Sequence, residues 1–318
     1  MMDDIDYIPI SVATLVPSTS MGVDLFQRDD RTQNWVLYRA ADYPLENADL
    51  SKLKANGIKR LFISKRSRAD YQEYLRSVVE GDADGTSAHA QVSAMNEVVL
   101  DVLENAFAKS DIDDTVSVVK QLGALTSEVV SRDEFAAHDL FDVLHHDYAT
   151  FTHSANVAFY AAVLAAELGY DKDGVEEITI GGLLHDLGKL EIDEAILCKP
   201  GRLDEQEFRL VKRHPTVGML KLCRRDDLTQ GQLMMAYQHH ERNDGRGYPV
   251  GHHADEIHPW AKICAVVDVF EALTSQRPYR SPMPTHKALE LIERDSGTAL
   301  DEEIVRCWKA IISRSSHS

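Results

Sequence analysis

The sequence predicts an α+β chain: a small mixed α/β domain followed by an all-α helical bundle. Three observations predict it. Residues 1 to about 75 hold short β-branched or aromatic runs between polar and glycine-containing turns, as strands require. From about Gln91 onward, apolar residues recur near 3.6-residue spacing instead. Between the two patterns lies EGDADGTSAH, residues 80–89, a Gly/Asp/Ser-rich break.

In chain order, strands are expected at Tyr7–Val12, Val23–Gln27, Trp35–Arg39 and Arg60–Ser64. A helix is expected over Asn47–Asn56, ended by Gly57 as a C-cap. Val98, Leu100, Val102, Leu103 and Phe107 form one helical stripe, and Val116, Val119, Leu122, Leu125 and Val129 another. Further helices fit Ala155–Leu168, closed by Gly169, and Glu176–Leu187. Asp204 and Glu207 form a capping-box pair that starts the next. The last four fit about 229–241, 260–274, 285–294 and 301–313. The expected domains are 1–80, a regulatory or docking unit, 81–135, connecting helices, and 136–318, the functional unit.

Composition narrows the function. The chain has 318 residues, 44% of them hydrophobic, and a formal net charge of −18. An acidic chain is a poor binder of polymeric nucleic acid, which needs clustered Lys and Arg. A small anionic substrate remains open if metals or a few basic side chains supply local positive charge. The start, MMDDIDYIPIS, lacks a basic, apolar secretion signal, and no run of about 18 apolar residues predicts a membrane span. Four widely spaced cysteines read as reduced thiols of a cytoplasmic protein. The 14 histidines concentrate from residue 138 on, which favours an imidazole/carboxylate metal site over a thiolate one.

Seven residues carry that chemistry: His153, His185, Asp186, His214, His239, His240 and Asp268. The steps from 153 to 185, 186 to 214, 214 to 239 and 240 to 268 each span about one helix plus a connection. A bundle can therefore aim one ligand group inward from each of several helices. His185-Asp186 sits in GGLLHDLGKLEI and Asp268 in KICAVVDVFEALTS, both strongly apolar. A buried, unpaired Asp is costly, whereas a metal-bound one is not. Gly188 allows close backbone approach, and Lys189 follows at once. Five imidazoles with two carboxylates suit iron, manganese or zinc better than calcium or magnesium. His145-His146 form a similar pair but read as structural. His252, His253, His258, His286 and His317 lie in loops or polar surroundings. Two further elements stand near the ligands. HHERNDGRGYP, residues 239–249, is a turn-rich loop, and RPYR, residues 277–280, is a compact cationic one suited to phosphate.

Together these residues resemble the HD-GYP family of metal phosphohydrolases. The resemblance covers roughly residues 140–312: HDLGK (185–189), KPGRLDEQE (199–207), His214-Pro215, HHERNDGRGYP, and VVDVFEALTSQRPYR (266–280). It implies a phosphodiesterase that hydrolyses cyclic di-GMP to linear pGpG, and on to GMP in some members, through a metal-bridging hydroxide. It implies two divalent transition metals, iron first, with manganese or zinc as alternatives. His153, His185, Asp186 and Asp268 would hold one, and Asp186, His214, His239 and His240 the other, with Asp186 bridging. Lys189 would bind phosphate and assist the leaving oxygen, while Gly247, Tyr248, Pro249, Arg277 and Arg280 would hold the rest of the ligand. Some relatives bind a third metal through a Glu four residues before the first ligand His. Here that position is Ala149, and Asp147 falls on the wrong helical face, so a dinuclear site is expected. A homodimer or signalling partner would use the N-terminal domain. Competing readings are hydrolysis of another nucleotide, a di-iron oxygenase, and a catalytically weak cyclic-dinucleotide receptor or scaffold.

Overall fold

The structure, a computed structural model, describes residues 6–29, 32, 34–81, 86–109, 111–132, 137, 144, 150–277 and 280–315. His145, His146, Asp147, Ala149, Pro278, Tyr279 and His317 lie outside the described residues. The chain divides into two compact units, Met1–Val98 and Val99–Ser318.

Unit one contains an antiparallel sheet in the order β1-β4-β2-β3, from β1 Tyr7–Ser11, β2 Leu25–Arg28, β3 Trp35–Arg39 and β4 Arg60–Ser64. Period-two alternation sets its faces. Ile10, Leu25, Leu61 and Ile63 are buried, while Tyr7, Phe26, Trp35 and Phe62 pack ring on ring, with centroids 4.3–4.8 Å apart. Helix α1, Asn47–Ala55, ends where expected, with Gly57 at φ +68°. Helix α2, Arg68–Glu80, was not expected from the sequence. Its buried Tyr71, Tyr74, Leu75, Val78 and Val79 nevertheless follow i, i+3, i+4, i+7, i+8 spacing. The hydroxyl of Tyr74 donates to the Thr14 carbonyl and accepts from Val16 N–H, both at 2.9 Å.

Helix α3 spans Ala88–Lys109 and α4 Ile112–Val130. Unit two then builds α5 (Thr150–Glu167), α6 (Lys172–Leu184), α7 (Glu194–Leu197), α8 (Glu205–Val211), α9 (His214–Leu222), α10 (Gln230–Gln238), α11 (Pro259–Thr274), α12 (Thr285–Asp295) and α13 (Glu302–Ser315). Helices α5, α6, α10 and α11 pack in a closed ring, each against the next. Helix α5 is buried from Thr152 to Ala165 because it is apolar or small on nearly every face. Trp308 of α13 meets Tyr160 of α5 and Phe270 of α11 edge-on at 5.3 and 5.1 Å, which fixes the outer helix on the ring. Asp204 and Glu207 form the expected capping box.

Two boundaries differ usefully from expectation. Helix α6 stops at Leu184 and α10 at Gln238, three residues short of the expected ends. After α6 the chain tightens into a 3₁₀ turn over Leu187–Glu191. Both ligand pairs therefore sit just past a helix rather than within one, where the backbone can aim two adjacent side chains at one place.

Candidate metal centre

All seven candidate ligands converge at the ring. His153 comes from the first turn of α5, His185-Asp186 from the end of α6, and His214 from the start of α9. His239-His240 come from the end of α10, and Asp268 from the middle of α11. Asp186 lies at the hub with no solvent exposure. Its Oδ2 is 3.2 Å from His153 Nε2 and 3.4 Å from His185 Nε2. Its Oδ1 is 3.2 Å from His214 Nε2 and 3.8 Å from His239 Nε2. Asp268 reaches His153 Nε2 with Oδ1 at 3.1 Å and His240 Nδ1 with Oδ2 at 3.9 Å.

The local fold fixes which ring nitrogen faces inward. His185 Nδ1 lies 2.7 Å from the Gly182 carbonyl, His214 Nδ1 2.8 Å from that of Val211, and His239 Nδ1 2.9 Å from that of Met235. A carbonyl only accepts, so each Nδ1 carries the proton and each Nε2 presents a lone pair to the centre. Gly188 lets the turn after Asp186 press on α9. A Cβ there would stand 2.0 Å from the His214 carbonyl oxygen.

The charges fit a cation. Burial pushes His239 well below the ordinary histidine range, and the imidazoles around it add to the effect. Burial likewise lowers His240 to about 3. Burial opposes the Asp186 charge, yet Lys189 and His185 more than offset it and hold the carboxyl well below the usual range. Asp268 is held down in the same way, chiefly through His153. His214 and His239 face each other, Nε2 to Nε2, at 3.1 Å. Asp186 Oδ1 and His185 Nε2 are buried without a hydrogen bond among the described residues. Such atoms demand a partner, and a metal ion supplies one. Three overlapping groups have donor atoms mutually within 4.8 Å: His214 with His239 and His240, His153 with His185 and Asp268, and His185 with Asp186 and His239. The donor set, imidazole-rich with two carboxylates, fits divalent transition metals.

The surroundings partly depart from expectation. Lys189 Nζ bonds Asp186 Oδ2, so its charge lies at the hub. Tyr248 lies against His240, ring centroids 4.7 Å apart, with Lys212 Nζ 5.0 Å from its ring. Gly247 is required where it stands, since a Cβ would meet Arg242 N and Glu241 Cα at 2.5 Å. Pro249 follows Tyr248 and leads into three residues held by one carboxylate. Glu241 accepts Val250 N–H at 2.8 Å, Gly251 N–H at 3.0 Å and His252 N–H at 3.1 Å. Arg277, expected in a compact cationic loop that holds the ligand, is buried, with Nη2 2.8 Å from Glu271 Oε2. The buried carboxylate draws it inward. Arg280 Nη2 donates to the Ala272 carbonyl.

Sequence reasoning missed Glu241 and Glu271. Both are acids beside ligands in otherwise apolar or glycine-rich stretches, and both are nearly fully buried. An acid at a position whose neighbours are buried was the available signal.

Comparison with known proteins now bears on this geometry. The HD domain profile matches residues 140–304. The chain belongs to the HD-domain family. A cyclic di-GMP phosphodiesterase of Thermotoga maritima is 38% identical over 178 residues, covering 53% of this chain and 48% of the relative. A 3'3'-cGAMP-specific phosphodiesterase 3 of Vibrio cholerae is 40% identical over 165 residues, covering 51% of this chain and 34% of the relative. The chain thus spans half or less of the length of these two curated relatives. The solved structure of Bd1817, an HDG"Y"P protein from Bdellovibrio bacteriovorus, superimposes with a TM-score of 0.69 at 20% identity. It covers 97% of this HD-domain chain and 100% of its own, a likeness of fold.

Proposed function

We propose that this HD-domain chain is a metal-dependent phosphodiesterase that opens cyclic di-GMP to linear pGpG. The observation that carries the reading is Asp186, whose two oxygens each face a separate set of imidazoles. His153, His185, Asp186 and Asp268 would hold one ion, and Asp186, His214, His239 and His240 the other. Bound there, two divalent transition metals supply Lewis acidity toward the phosphoryl oxygens and activate water near neutral pH. Iron is the first candidate, with manganese and zinc next.

The chain's own residues set up the displacement. Burial keeps His239 and His240 neutral, so both remain donors. Lys189 sits against the hub, where its ammonium neutralises a phosphate oxygen and can protonate the departing ribose oxygen. Gly247 keeps the 241–253 loop pressed on the backbone of the ligand pair, which sets Tyr248 over His240 as a platform for a base. Arg280, and Arg277 if released from Glu271, would meet the second phosphate. The name of the Vibrio relative favours 3'3'-cGAMP as a second substrate to compare.

Residues 136–318 form the catalytic domain in this reading, with 81–135 connecting it to a regulatory or docking domain at 1–80. No described helix is long and apolar enough to cross a membrane. The four cysteines are unpaired, and a cytoplasmic setting belongs to the same proposal.

The test is turnover by anaerobically purified protein reconstituted with iron, manganese or zinc, followed by chromatography with cyclic di-GMP and 3'3'-cGAMP in parallel. Conversion to the linear dinucleotide, abolished in Asp186→Ala, is expected. Two bound metals without turnover of either substrate would overturn the enzymatic reading.

A further inference from the structure

The backing of His153 differs from that of the other inward-facing imidazoles. The Nδ1 atoms of His185, His214 and His239 rest on backbone carbonyls. His153 Nδ1 rests instead on a buried carboxylate, Glu271 Oε2, at 2.5 Å. That carboxylate is held on all sides. Ser275 Oγ donates to its Oε1 at 2.7 Å, Asn156 Nδ2 to Oε1 at 3.2 Å, and Arg277 Nη2 to Oε2 at 2.8 Å. Four donors on two oxygens leave it one orientation, and Glu271 is only 2% exposed.

Glu271 sits one helical turn after Asp268 on α11, so the two acids share a face of that helix. His153 bridges them, with Nε2 on Asp268 Oδ1 and Nδ1 on Glu271 Oε2. A carboxylate behind an imidazole fixes its tautomer and raises the basicity of the opposite nitrogen more than a neutral carbonyl does. From this geometry we infer that Glu271 is a positioning residue. It makes the metal position of His153, His185, Asp186 and Asp268 the tighter half of the centre, since His214 and His239 at the other position are backed only by carbonyls. The inference rests on the reading that His153 is a metal ligand. Arg277 ties the same carboxylate to the 275–280 loop, so the loop expected to meet substrate is anchored on the backing of a ligand.

The experiment titrates metal-free full-length chain with Mn(II), then Zn(II), against a competing chelator. Wild type, Glu271→Gln and His153→Ala are compared. Gln keeps the shape and removes the charge. Two unequal affinities are expected in wild type, with the tighter one weakened about 10- to 100-fold in Glu271→Gln and lost in His153→Ala. The weaker affinity and the far-UV circular dichroism should not change. Equal affinities in wild type and Glu271→Gln, with one metal lost in His153→Ala, would overturn the inference while leaving the metal centre intact. Failure of wild type to bind either metal would remove the reading beneath it. If Glu271→Gln does not fold, nitrogen-15 spectra of wild type decide. A downfield, slowly exchanging Nδ1 proton absent from His153→Ala supports the carboxylate backing, and its absence from wild type overturns it.

Discussion

His214 Nε2 and His239 Nε2 stand 3.1 Å apart with both Nδ1 protons committed to carbonyls. Two lone pairs at that distance repel unless a cation lies beside both. The metal-free protein should therefore be the strained form, and metal uptake should relieve it. Chelation is expected to lower the melting temperature of unit two, and each added equivalent of metal, up to two, to raise it. At a free metal concentration 100 times Kd the gain is about 2.7 kcal/mol. Calorimetry with and without chelator checks this, and identical transitions would count against the centre.

Gly188→Ala tests the contact that seats α9. The new Cβ would lie 2.0 Å from the His214 carbonyl and 2.7 Å from Gly218 N, both rigid backbone. The turn and α9 must separate, and His214 moves with α9. Loss of one metal of two is expected, with a destabilisation of about 1–3 kcal/mol. Metal analysis alongside denaturant unfolding reads both.

Glu241→Gln addresses the loop rather than the metals. The charged acceptor of three backbone N–H groups becomes a neutral amide. Hydrogen bonds to a charged group contribute about 1.5–3 kcal/mol, so the 249–253 segment should loosen. The expected result is a KM raised about tenfold, close to the 1.4 kcal/mol that a tenfold factor represents. Metal stoichiometry should be unchanged.

Tyr74 gives unit one a signature in alkali. Burial raises its hydroxyl to about 12, partly offset by the Val16 N–H bond. The unfolded chain has the ordinary value near 10. Both states are protonated below pH 10. Above it the unfolded state loses the proton first, so stability falls as pH rises from about 10 to 12. Tyr74→Phe removes the Tyr74 share of this dependence and leaves that of Tyr71, whose buried hydroxyl is raised as well. It also leaves Val16 N–H and the Thr14 carbonyl without their shared hydroxyl, at a cost of about 1–3 kcal/mol at pH 7. Urea unfolding at pH 7, 10 and 11.5 separates the two effects.

The convergence of the candidate ligands was legible because most are a chemically unusual choice for their place: an Asp or His inside or beside apolar helix sequence. Asp186 and Asp268 are the clearest cases. Their second partners were not legible, because Glu271 and Arg277 meet only through the turn that ends α11. That meeting depends on how the Ser275 and Gln276 backbone leaves the helix, which no periodicity encodes. The ends of α6 and α10 were overestimated for a related reason. Apolar spacing continues through Leu187, and no Gly or Pro marks a stop before Glu241, while the chain breaks regular helix early so that the adjacent candidate ligands can face one centre. Helix α2 differs, since its buried residues keep plain helical spacing although no element was expected there. The four strands were recovered, two of them residue for residue, because alternation on a half-buried sheet leaves little freedom.

Five stretches of chain, from His153 to Asp268, meet around one buried carboxylate. Seen as a polymer, unit two is a string tied at a single knot, with loops of about two dozen to three dozen residues between successive strands of the tie. Cinching that knot removes more freedom from the unfolded chain than any one contact could. Whatever governs the supply of metal would then govern how long the folded chain survives, and not just how fast it works.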